Sequence, residues 1–154
     1  MRFASFAAGL LLLISADLAA QAPVADSELQ WGAVPALFPP GAQIALISGD
    51  PIQPGRFVAR LRMPDGYRMA PHYHPADEHV EVNQGTLLVG VGDKLDLKKV
   101  VALGVGDTAT APAGAHHYSV AKGVTVVTIT TTGPYVMNYL DTRQEPWRPF
   151  PYGY

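Results

Sequence analysis

From Gln43 onward the chain reads as short apolar runs broken at regular intervals by Gly, Pro or Asp. Segments 43–48, 56–63, 67–73, 78–84, 86–91, 97–102, 107–111, 116–121, 123–131 and 134–140 are each strand-like. In 56–63, Arg56, Val58, Arg60 and Arg62 alternate with Phe57, Ala59, Leu61 and Met63. That two-residue period marks a half-buried strand. The run 123–131 (GVTVVTITT) has the strongest β character and is expected to be central. Gly90 to Lys94 reads as the turn of a hairpin. Glycine and proline number 15 and 14, which argues against long helices. Many short strands at this spacing predict an all-β sandwich or barrel, and the length of 154 residues predicts one domain.

The two ends break the pattern. Met1-Arg2, the apolar run Phe6 to Ile14 and the small residues Ala19-Ala20 have the layout of a secretory signal peptide over residues 1–20. The apolar run is too short for a membrane span, which needs about 20 residues. Export makes the expected location periplasmic or secreted. Residues 21–42 contain four prolines and no sustained period, so they read as an N-terminal arm. A short turn is expected at Asp26-Ser27-Glu28, with Trp31 and Phe38 pinning the arm to the body at 43–140. Residues 141–154 form a tail rich in proline and aromatic residues, which cannot pair inside a sheet.

Charge and cysteine content narrow the chemistry. The formal net charge is −2, and no basic face is evident, so nucleic acid is not an expected partner. Nor is a membrane expected to engage the mature form. Cysteine is absent, which excludes disulfides, thiolate nucleophiles and Cys-type zinc sites. Any metal must be held by nitrogen and oxygen.

Such ligands are concentrated in two stretches, 66–85 and 106–117, which contain all five histidines. Residues two apart on a strand share a face, so His72 and His74 point together and Tyr73 points away. On the following strand Glu78, Val80 and Val82 share one face, and His79, Glu81 and Asn83 the other. The first face is apolar apart from Glu78. A carboxylate buried there is costly unless it is paired or metal-bound. Parity therefore selects Glu78 over Glu81 and places His79 outside. His116 and His117 face opposite ways. If His117 faces in, so do Ser119 and Ala121, while Tyr118 and Val120 face out. Parity alone does not choose between the two histidines. Three imidazoles and one carboxylate suit a single divalent transition-metal ion such as Mn, Fe, Co, Ni, Cu or Zn.

The two stretches resemble the conserved motifs of the cupin superfamily. Gly66, His72, His74, Glu78 and Gly85 match the first motif, and Gly106, Pro112, Gly114 and His117 match the second. The resemblance implies metal ligands at His72, His74, Glu78 and His117, and so chooses His117 over His116. It also implies a conical, jelly-roll-like double-stranded β-barrel, often a homodimer. One departure is Ala121, where cupins often have Asn. Gly133-Pro134-Tyr135 and the run 75–80 further resemble small exported cupins with no assigned activity.

The implied function is that of an exported metal-binding protein. Its chemistry would be that of an oxygenase, decarboxylase or isomerase acting on a small oxygen-rich organic molecule. A non-catalytic metal or small-ligand sensor is the alternative. Arg60, Arg62, Tyr67, Gln84, Thr110 and Ser119 are candidates for further contacts inside the barrel.

Overall fold

The computed structural model describes residues 25–145. The expectations for residues 1–20, for 21–24 and for 146–154 lie outside the described residues. Nine strands follow in order: β1 (Gly32–Ala33), β2 (Gln43–Ser48), β3 (Gly55–Met63), β4 (Arg68–Tyr73), β5 (Glu78–Val91), β6 (Val101–Leu103), β7 (Thr108–Ala111), β8 (His117–Gly133) and β9 (Asn138–Tyr139). Single-turn 3-10 segments occur at Asp26–Glu28 and Thr142–Gln144.

β5 and β8 organise the domain. They run antiparallel from His79 opposite Thr130 to Val91 opposite His117. The sequence pattern predicts breaks within both, at Gly85 and before Gly123. The structure has bends there instead. Gly85 and Gly123 take φ of 73° and 72°, a region open to glycine at little cost. The ladder shifts register between Val82 and Thr86 but continues on both sides. A Cβ at Gly85 would lie 2.4 Å from the Val124 carbonyl oxygen, so the crossing is also too tight for a side chain.

The bent β5–β8 pair contributes to two facing sheets. One half continues through β3, β2 and β1 on the β8 side and through β7 on the β5 side. The other half continues through β4 and β9 and, opposite, through β6. The result is a jelly-roll-like β domain. Its barrel is not closed by hydrogen bonds, because β6 and β7 each pair only with β5. Between the sheets lie Leu61, Met63, Met69, Val82, Leu87 and Val127, with Phe38 of the arm closing over them. Burying each such side chain contributes roughly 1.5–3 kcal/mol.

Several expectations shift for local reasons. The strand expected at 97–102 is reduced to Val101–Leu103, because Asp96 turns the chain by accepting from the Lys98 and Lys99 amides. Of 134–140 only Asn138–Tyr139 pairs. Tyr118 and Val120 were expected to face solvent, yet they are 1% and 7% exposed. For Tyr118 the cause is the β5–β6 connection, which covers the outer face. The Tyr118 hydroxyl donates to the Asp96 carbonyl at 3.1 Å, and its ring fills the space where Gly90 has no side chain. On β3 the alternation holds for Phe57, Ala59, Leu61 and Met63, all buried. Arg60 lies on the opposite face and is buried as well, because the arm folds over it. Its guanidinium pairs with Asp26, and Arg62 stacks 3.8 Å over Trp31.

Candidate metal centre

Two loops bring the two motif stretches together. β4 is irregular between Met69 and His72, around Pro71, which has no amide hydrogen to donate to a ladder. Beyond this bulge His72 pairs in register with His117, the first residue of β8. The corner 75–77 then turns the chain into β5 and is fastened to the second motif. The Gly114 amide donates to the His74 carbonyl at 2.8 Å, and the Ala113 amide to Asp77 Oδ1 at 2.7 Å. Thr131 adds a hydroxyl donation to the Asp77 carbonyl at 2.7 Å. Gly114, with φ of 75°, makes the tight turn that permits this contact.

Three imidazoles converge as a result. One ring nitrogen from each of His72, His74 and His117 lies within 4.8 Å of the others, so the triad can hold a metal ion. Each Nδ1 faces a backbone carbonyl: His72 to Ala70 at 2.6 Å, His74 to Val136 at 2.8 Å and His117 to Ala115 at 2.9 Å. A carbonyl only accepts, so each Nδ1 must carry the proton, and in the neutral ring each Nε2 keeps its lone pair. The Nε2 atoms of His74 and His117 are buried with no hydrogen-bond partner. Unsatisfied buried nitrogens are costly, and a cation at their meeting point removes that cost. Carbonyl acceptors behind the ligand rings are also the usual device for fixing ring orientation at metal sites.

Glu78 lies beside two of the three rings. Its Oε2 is 3.6 Å from His74 Nε2 and 3.9 Å from His117 Nε2. Both separations exceed hydrogen-bond length. They are near the roughly 3.4 Å expected between atoms bonded at about 2.1 Å to one tetrahedral centre. The three imidazoles therefore fit a divalent ion in spacing and tautomer, with the Glu78 carboxylate beside two of them.

Electrostatics favour the metal-ready protonation state. Burial, and then the nearby His117, push His72 down to about 3. Burial also lowers His117, outweighing the opposing effects of the Ala115 carbonyl and Glu78. Both rings are thus neutral near pH 7.

Sequence reasoning missed one member of this constellation. Tyr135 donates its hydroxyl to Glu78 Oε1 at 2.8 Å and stacks on His74 with ring centres 5.0 Å apart. Burial of the hydroxyl, then Glu78, hold it well above the usual tyrosine value, so it remains a donor. No spacing rule ties Tyr135 to Glu78, 57 positions away. The run 133–135 was the only signal.

The remaining histidines lie outside. His79 bonds Thr110, and His116 bonds Asp93 at 2.7 Å. Among the other candidates, Ser119 alone lines the interior beside His72 and His117. Gln84 and Thr110 are exposed. Arg60 and Arg62 are engaged by the arm, and Tyr67 donates to the Pro39 carbonyl.

Two cavities adjoin the centre. A small one of about 60 Å³ lies in the core between Met63, Leu87 and Ile129. A larger one of about 290 Å³ opens between β6 and β7 and reaches Glu78 and His117.

Comparison with known proteins agrees with this architecture. A family model described as Cupin matches residues 53–152, more than half of the chain. No curated protein matched the chain. Among solved structures, the polyketide cyclase RemF from Streptomyces resistomycificus superposes with a TM-score of 0.63 at 13% identity, covering 82% of this chain and 89% of that one. KdgF from Halomonas sp. gives 0.55 at 22% identity, covering 70% and 89%. An RmlC-like cupin from Shewanella frigidimarina gives 0.55 at 15% identity, covering 71% and 87%. At these identities the structures speak for the fold alone. The family match over most of the β domain, the shared fold and the converging histidine triad together show that the chain belongs to the cupin family.

Proposed function

We propose that this protein is an exported, metal-binding cupin that takes one divalent ion on His72, His74, Glu78 and His117. The ion would face a small organic molecule entering between β6 and β7. The observation that carries the reading is the set of three Nδ1-to-carbonyl bonds, which leaves the Nε2 lone pairs of His74 and His117 buried and unpartnered beside Glu78. When bound, such an ion supplies Lewis acidity, or redox chemistry if it is Fe, Mn or Cu, toward a ligand oxygen.

The chain's own groups have definable tasks. The three backbone carbonyls hold the rings in one tautomer. Tyr135 occupies Glu78 Oε1 and leaves Oε2 turned toward the histidines. The apolar walls keep water from competing. Enzymes occur on this fold, a polyketide cyclase among them, but a fold carries many functions. Oxygenase, decarboxylase or isomerase chemistry is the reading we favour, with a metal or small-ligand sensor as the second.

Elemental analysis of untagged protein purified from the exported fraction tests both the site and the location. One equivalent of metal per chain is expected, lost in His117→Ala and kept in His116→Ala. Metal-free protein that does not take up Zn, Mn or Fe on addition refutes the site. Retention of the N-terminal segment in a cytoplasmic fraction refutes export. Tight zinc with no turnover of any small molecule favours the sensor.

A further inference from the structure

We infer that the ligand of this site is a small amphiphile, with an apolar body and a single anionic oxygen head. This deepens the reading above and rests on its metal centre. The argument comes from the walls of the opening between β6 and β7. β5 contributes Val80, Val89 and Val91 to them, β6 contributes Val101, and β7 contributes Ala109 and Ala111. All six are hydrophobic, and Val91 and Val101 are 80% and 63% exposed. Exposed valines converging on one cavity offer an apolar body a surface that water does not favour.

Five polar side chains line this cavity: Glu78, Lys99, Thr110, His116 and His117. Glu78 and His117 form the floor. At the rim, Lys99 and His116 are each engaged by an aspartate: Lys99 with Asp96 at 3.8 Å, His116 with Asp93 at 2.7 Å. Thr110 is bonded to His79 on the outer side. Apart from Thr110, no neutral side chain of this lining offers a donor to a hydroxylated body. A polyol or sugar acid would leave its hydroxyls unpaired there, at a cost that selects against it. A second anionic group would have to compete with Asp96 and Asp93 for Lys99 and His116 at the rim. At the floor, a divalent ion with one carboxylate and neutral imidazoles carries one net positive charge, which a single anionic head neutralises in a poorly solvated place. The cavity of about 290 Å³ sits near the small end of ligand pockets, roughly 300–1,000 Å³.

The test uses the full mature chain loaded with zinc and titrated calorimetrically with acetate, butyrate, hexanoate, benzoate, gluconate and oxalate. Affinity should rise from acetate to hexanoate by up to about fourfold per methylene. Gluconate should bind no better than acetate. Val101→Glu, at an exposed position, should weaken hexanoate at least tenfold while zinc content stays at one equivalent. Flat affinity across the series, tighter gluconate or oxalate, or no binding by any probe to zinc-loaded protein overturns this inference and leaves the metal site standing. Protein that takes up no zinc overturns the metal reading, and this inference with it. If Val101→Glu converts a dimer to a monomer without changing hexanoate affinity, the valines serve a second copy of the chain, and the inference also fails.

Discussion

Replacing Tyr135 with Phe removes one oxygen and keeps the ring. The ring packs against Phe38, Phe57 and His74, with centres 6.0, 5.6 and 5.0 Å away. Those contacts survive the change. What disappears is the 2.8 Å donation to Glu78 Oε1. Glu78 is 7% exposed, so water does not readily replace the lost donor. A hydrogen bond to a charged group contributes about 1.5–3 kcal/mol. Here it orients the carboxylate, with Oε2 3.6 Å from His74 Nε2. Loss of such a supporting bond typically lowers metal affinity about 10- to 100-fold, which corresponds to roughly 1.4–2.8 kcal/mol, the same range as the bond itself. The assay is zinc competition against a chromophoric chelator at pH 7.5, on Tyr135→Phe and Tyr139→Phe in parallel. Tyr139 is the comparison because its hydroxyl donates away from the centre, to the Leu37 carbonyl at 3.0 Å. Zinc affinity should fall only in Tyr135→Phe. Equal losses in the two variants, or no loss in either, would refute the reasoning that Tyr135 acts by holding Glu78.

The depressed histidines predict a pH effect on metal-free protein. A folded-state pKa below the unfolded value near 6.5 means the unfolded chain binds the proton more tightly, so stability is full above about pH 6.5 and falls as pH drops toward 3. For His72 the slope should approach 1.4 kcal/mol per pH unit, with His117 adding to it in the same direction. Urea midpoints measured between pH 7.5 and 4.5 would show this, and a flat profile would contradict it. Zinc at 100 times its Kd should stabilise the fold by about 2.7 kcal/mol, and EDTA should reverse the rise in Tm; a shift that persists in His72→Ala would place the zinc elsewhere. Gly90→Ala sets a Cβ 2.2 Å from the Tyr118 ring and should cost about 1–3 kcal/mol through overpacking, read by urea unfolding. Gly66 has the reverse combination, a φ of 74° with open space around it, so Gly66→Ala should cost less than Gly90→Ala; the opposite order would show that backbone conformation outweighs the clash.

Strand alternation was legible wherever one face meets the core and the other meets water. On β5 it sorted Glu78 and Val82 from His79 and Glu81, and burial follows that division. It failed for Tyr118, whose outer face is covered by the β5–β6 connection, and for Val120, which is buried as well. It also failed for Arg60, whose burial comes from an arm more than 30 positions away. Gly85 and Gly123 were visible as breakers, but whether a glycine ends a strand or bends it depends on the partner across the ladder.

The sequence by itself determined the β class, the single domain, the absence of thiol chemistry and the two stretches that hold the histidines. These are local properties: period, composition and spacing along one strand. Tertiary structure decided that His72 pairs beside His117, that the Val136 carbonyl, 62 positions from His74, sets the tautomer of that ring, and that Tyr135 supports Glu78. It also decided that the mouth between β6 and β7 is lined with valine and alanine. Those features join residues from different strands. Their distances depend on how β5 and β8 bend and fold over, which no one-dimensional pattern contains.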